Sequence, residues 1–98
     1  MQINDATGVI TVVYNRANVG NAIAADASLT LSPYIAVGAA DGTTFTALAT
    51  AFAAAAAPAV GNLDWACSST TSLTAAARGM AAAAAGTLDA RFAPAECR

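Results

Sequence analysis

A chain of 98 residues has room for one domain. A domain of this size buries only roughly 60–65% of its unfolded surface, so it needs a disulfide or cover from another chain. The balance is slightly acidic, with four Arg, no Lys, no His and a net charge of −2. Four scattered Arg do not form the positive patch that displaces counterions from nucleic acid, so no nucleic-acid partner is expected.

The apolar fraction of 57% is inflated by alanine, which fills 30 positions. Alanine buries little area, and the larger apolar side chains suffice for one thin core. No apolar run approaches the eighteen or so residues of a membrane span. The longest are residues 51–60, broken by Pro58, and residues 80–85, ended by Gly86. The first five residues, Met1-Gln2-Ile3-Asn4-Asp5, carry neither the basic region nor the apolar core of a signal peptide.

In chain order, residues 8–14 read Gly-Val-Ile-Thr-Val-Val-Tyr, a β-branched and aromatic run that predicts a strand. Residues 15–21 are rich in Asn and Gly and predict a loop. Residues 28–35 alternate, with Leu29 and Leu31 on one face and Ser28, Thr30 and Ser32 on the other, which predicts a half-buried strand. Pro33 belongs at a sheet edge or strand end, where its missing N–H costs nothing. Asp41-Gly42 marks a turn, and Thr43 or Thr44 then caps a helix running to about residue 57, with Phe45, Leu48 and Phe52 on one face. Leu63, Trp65 and Cys67 alternate with Asp64 and Ala66, a third strand whose inward face is apolar. Leu29, Leu31, Leu63 and Trp65 are therefore the expected core. Residues 74–85 are helix-capable by alanine content, weakened by Gly79 and ended by Gly86. Residues 87–92 suggest a short strand.

Cys67 and Cys97 are the only cysteines. With no His and no C-x-x-C, a zinc or redox centre is not indicated. Two free buried thiols are one reading. A disulfide is favoured, because Cys97 lies on a tail that otherwise frays. Closing a loop of 97 − 67 = 30 positions is worth roughly 3–4 kcal/mol in the chain-entropy account, and implies an oxidising compartment.

Common bases and nucleophiles are missing, and a hydroxyl without a base is inert. Asp5, Asp26, Asp41, Asp64, Asp89 and Glu96 are dispersed and read as turn or solvated residues. No enzyme activity, cofactor or dedicated metal site is expected; calcium held by Asp and backbone oxygens would need no motif.

Two segments carry more than pattern. Leu63-Asp64-Trp65-Ala66-Cys67 and the run from Gly86 through Pro94-Ala95-Glu96-Cys97-Arg98 resemble the C-terminal part of bacterial type IV pilins. There, a strand ending Trp-x-Cys is disulfide-linked to a terminal Pro-Ala-x-Cys-Arg. Residues 8–12 and 29–33 are similar to the first two sheet strands of that family. The resemblance implies an α+β pilin-like head: an antiparallel sheet of about four strands, one or two short Ala-rich helices and a loop closed by Cys67 and Cys97. It implies a structural subunit on the cell-surface pilus, extracellular after crossing the inner membrane, with other pilin subunits as partners. The family's long apolar N-terminal helix has no counterpart in these 98 residues. Its place is expected to be filled by a segment of a longer precursor or by a separate short chain. A minor pilin or pseudopilin of a secretion or uptake machine is the nearest alternative. A secreted, disulfide-closed binding module is the other.

Overall fold

A computed structural model describes residues 1–36, 45–53, 61–80 and 85–98. The strands are β1 (Gln2–Ile3), β2 (Ile10–Val13), β3 (Ser28–Ala36), β4 (Phe45–Ala47) and β5 (Leu63–Ser68). Three short helices, α1 (Arg16–Val19), α2 (Leu48–Ala53) and α3 (Leu73–Ala77), and two 3-10 turns, Ala90–Phe92 and Ala95–Cys97, complete the described chain. All strand pairs are antiparallel. The α+β class, the disulfide loop and the antiparallel sheet agree with the sequence reading; five strands are described against the expected four, with β1 and β4 added and residues 87–92 forming none.

The nine-residue β3 is the centre of the sheet. Its β-branched and alternating composition suits a strand paired on both edges. On one edge it pairs with β5 from Thr30↔Ser68 to Ile35↔Leu63. On the other it pairs first with β2, through Leu31, and then with β4, from Tyr34. Pro33 falls in the break between these two partners.

The direction of its nitrogen follows from parity. Ala36 N–H donates to the Asn62 carbonyl on the β5 side, and the Ala27 carbonyl accepts from Tyr14 on the β2 side. In an antiparallel strand both polar groups of one residue point the same way, and successive residues alternate. Odd residues of β3 therefore face β2 and β4, and the proline nitrogen points into the gap. Pro33 is thus inside the central strand rather than at an edge or end, in the one interior place where a missing donor is harmless.

Three other expectations are corrected. Phe45 starts β4 instead of a helix, since the edge of β3 beyond β2 offers backbone partners that override local propensity. With Phe52 69% exposed, the Phe45–Leu48–Phe52 face is not a buried stripe. Within residues 15–21, α1 forms a single turn, capped by the Asn15 side chain accepting from Ala17 N–H. Residues 87–92 form no strand; Ala90–Phe92 is a 3-10 turn, with Asp89 accepting from Arg91 N–H. The expected helix over 74–85 is described as α3, which stops where Gly79 takes a φ of 87°. The Asp41-Gly42 turn, the helix end near residue 57 and residues 81–84 lie outside the described residues.

Two small cores sit on opposite faces of the sheet. Tyr34, Ala66, Ala75 and Met80 pack beneath α3, joined by Phe45 and Ala47. On the other face, Ala27 and Leu29 pack with Leu88, Ala93 and Cys97 of the C-terminal segment.

Candidate assembly surface

The period of two sorts the sheet cleanly. Register puts Ile10 and Val12 beside Leu31 and Leu29, and Cys67, Trp65 and Leu63 beside Leu31, Pro33 and Ile35. One face is therefore almost wholly apolar. The other carries Ser28, Thr30, Ser32 and Ser68, all buried, beside Tyr34 and Ala66.

The apolar face is covered unevenly. Leu29 and Ile35 are buried and Leu31 is half-buried. Leu63 is 53% exposed, Trp65 40% and Ile3 62%. Leu63 and Trp65 lie on the face of Leu29 and Leu31, where the sequence reading expected core, and in this chain they are exposed. The reason is coverage. The C-terminal segment reaches only the Leu29–Cys67 end, and α3 lies on the opposite face.

The C-terminal segment is fastened at several points. Cys67 and Cys97 form a disulfide with a Cα–Cα distance of 4.5 Å. Ser69 N–H donates to the Cys97 carbonyl at 2.9 Å, and Thr70 N–H to the Leu88 carbonyl at 3.0 Å. Thr87 and Leu88 N–H both donate to the Ser28 carbonyl at 2.9 Å, while Ser28 N–H donates to Thr87 Oγ1 at 3.0 Å. Thr74, at the start of α3, donates its N–H to the Arg98 carbonyl and its hydroxyl to the Ala95 carbonyl. The disulfide thus closes a loop already held by backbone hydrogen bonds on both sides. The Ser28–Thr87 link spans 59 residues and left no signal in local spacing.

Charge organises one side of this loop. Arg78 at the end of α3 holds Asp64 of β5 at 2.5 Å and lies 3.9 Å from Glu96. It therefore ties helix, strand and C-terminal segment together, although exposure of 44% and 36% at the Arg78 and Asp64 side chains limits such a pair to about 0.2–1 kcal/mol. Sequence reading took Asp64 as a solvated residue; only the tertiary placement of α3 reveals its partner. Arg91 pairs with Asp89 at 3.5 Å and stacks on Phe92 at 4.8 Å. An open groove of about 450 Å³ runs between Tyr14, Val19 and Ile23 on one wall and Phe92, Pro94 and Arg98 on the other. Among the described residues its lining has no Asp or Glu side chain and no base–nucleophile pair. Among the described residues no group of three or more His, Cys, Asp or Glu converges on one point. Burial pushes the Tyr34 phenol above its ordinary value, because the ion loses hydration in the core.

A family model described as pilin, a bacterial filament protein, matches residues 1–98. The fold also matches the crystal structure of a type IV pilin from Pseudomonas aeruginosa strain Pa110594, with a TM-score of 0.74 and 46% identity. That match covers 94% of this chain and 57% of the pilin. No curated protein matches the chain significantly. A sheet with one apolar face and a disulfide-closed C-terminal loop defines a head domain built for packing. The chain belongs to the pilin family, with the head-domain fold of a type IV pilin.

Proposed function

We infer that the chain forms the outer globular layer of a type IV pilus. Its apolar sheet face packs on an apolar N-terminal pilin helix, joined to it in a longer chain or held as a separate one. Heads then sit outside a bundle of helices and contact other pilin subunits, in a filament on the extracellular surface. The role is structural, without catalysis.

One observation carries this reading. Leu63, Trp65 and Ile3 are exposed on the same face that buries Leu29 and Ile35. An antiparallel sheet leaves one face to water at little cost when that face is polar. Here the polar face is the more fully covered one and the apolar face is covered only in part, so the apolar face calls for a layer. Each 100 Å² or so of apolar surface left bare forgoes about 2.5 kcal/mol of burial at 25 cal/mol per Å². A helix with an apolar stripe fits a sheet face of this kind.

The test is to express residues 1–98 alone and measure self-association and the binding of a dye that reports apolar surface. The measurement is then repeated with the helix supplied. Association and dye binding that both fall when the helix is added are expected. A monodisperse monomer that binds no dye and is unchanged by the helix overturns the reading in favour of a free-standing binding module.

A further inference from the structure

We propose that Asp64, held by Arg78, is a lock on the free edge of β5 that prevents a second copy of the chain from pairing there strand to strand. The argument rests on backbone direction. Even residues of β3 face β5, as the Ala36–Asn62 hydrogen bond fixes. Facing residues exchange both bonds, so Asp64, Ala66 and Ser68 are turned toward β3 and Leu63, Trp65 and Cys67 outward. No described strand pairs with that outward edge. An open edge with apolar side chains is a template for another strand.

Two devices close it. Beyond the strand end, outward-facing Ser69 N–H is taken by the Cys97 carbonyl at 2.9 Å. In the middle, outward Trp65 N–H is taken by Asp64 Oδ1 at 2.8 Å, while Arg78 holds the other carboxylate oxygen, Oδ2, at 2.5 Å. Without the Asp64 side chain the outward groups of Leu63 and Trp65 are open to a second strand, and their symmetry names the occupant. Antiparallel pairing of two copies about a two-fold axis at Asp64 sets Leu63 against Trp65 of the other copy. Both outward residues then exchange backbone bonds, and the apolar face runs on across the junction. The same axis sets the two Asp64 side chains directly opposite, where like charges repel. Asp64 therefore opposes this pairing twice: it occupies the donor that pairing needs, and it puts two carboxylates on the axis.

The experiment measures self-association of residues 1–98 by sedimentation at low ionic strength, in wild type, Asp64→Asn, Asp64→Ala, and Asp64→Ala combined with Leu63→Pro. Association through the apolar face is common to wild type and the two Asp64 single variants and cancels among them; Leu63→Pro alone is measured beside them, so that the loss of its side chain from that face is subtracted. Asn keeps an acceptor for Trp65 N–H without the charge, and Ala removes both. Proline is tolerated at the first residue of an edge strand and removes the outward Leu63 donor. The expected order is at least tenfold tighter association for Asp64→Ala, an intermediate value for Asp64→Asn, and a return to the wild-type value on adding Leu63→Pro. Unchanged association in Asp64→Ala overturns the proposal, as does a gain that survives Leu63→Pro. Should Asp64→Ala lose its native circular dichroism, Asp64→Asn decides alone: association no tighter than wild type overturns the proposal.

Discussion

The α-carbon of Gly86 is pressed against the backbone carbonyl of Ser28, so closely that a methyl group at position 86 would collide with it and crowd the Ser68 carbonyl as well. Gly86 thus lets the C-terminal segment approach the sheet edge and deliver Thr87 and Leu88 N–H to the Ser28 oxygen.

Replacing Gly86 with Ala is expected to destabilise the fold by about 1–3 kcal/mol, the range for forcing a methyl group into a tight contact. Backbone atoms bound the site, so no side chain can swing aside. Chemical denaturation checks this through a lowered midpoint at unchanged slope. A midpoint equal to the wild type would show that the close approach is not maintained in solution.

The disulfide stabilises mainly by restricting the unfolded chain. Reduction of Cys67–Cys97, separated by 30 positions, is expected to cost roughly 3–4 kcal/mol. That is a large share of the stability of so small a domain. Intact mass should rise by two hydrogens on reduction. Alkylation of both thiols in folded, unreduced protein would contradict the bond.

Much of this was legible in the sequence because period-two alternation is local. It placed β2, β3 and β5 within a few residues and put Leu29, Leu31, Leu63 and Trp65 on one face. What alternation does not encode is whether anything lies over that face. The exposure of Leu63 and Trp65 depends on where the C-terminal segment and α3 pack, which no strand reports about itself. The helical spacing of Phe45, Leu48 and Phe52 misled because it does not report that β3 leaves an edge beyond β2, and that edge captures Phe45. Pro33 was read by the general rule for edges, and only the order of β2 and β4 along β3 shows the interior gap it occupies.

Tyr34 makes the fold sensitive to alkali. Its folded pKa is raised above 10.0 by burial. The folded state therefore holds the phenolic proton more tightly than the unfolded chain does. Stability is intact below the unfolded value and falls as pH rises from about 10 through the raised folded value. Denaturation midpoints measured from pH 8 to 11 should decline over the upper part of that range. Tyr34→Phe should flatten that decline, and an identical slope in both proteins would assign the alkaline loss to other groups.

Trp65 separates the isolated chain from its assembled state. It stands opposite Pro33 in the β3–β5 register and is 40% exposed. In residues 1–98 alone, Trp65→Ala should therefore cost about 1–2 kcal/mol, well short of the 3–5 kcal/mol typical of a buried aromatic truncation. With a helix covering the apolar face, the same substitution should cost the larger amount, because the indole is then enclosed on both sides. Leu63→Ala should behave in the same way on a smaller scale, as suits its smaller side chain. The comparison is one of differences between two states of the same variant, so effects on the unfolded chain cancel. Intrinsic fluorescence gives a second readout, since Trp65 is the single tryptophan. Its emission should shift to shorter wavelength when the helix binds. Equal costs in both states, with no spectral shift, would show that the layer over this sheet lies somewhere other than on Trp65.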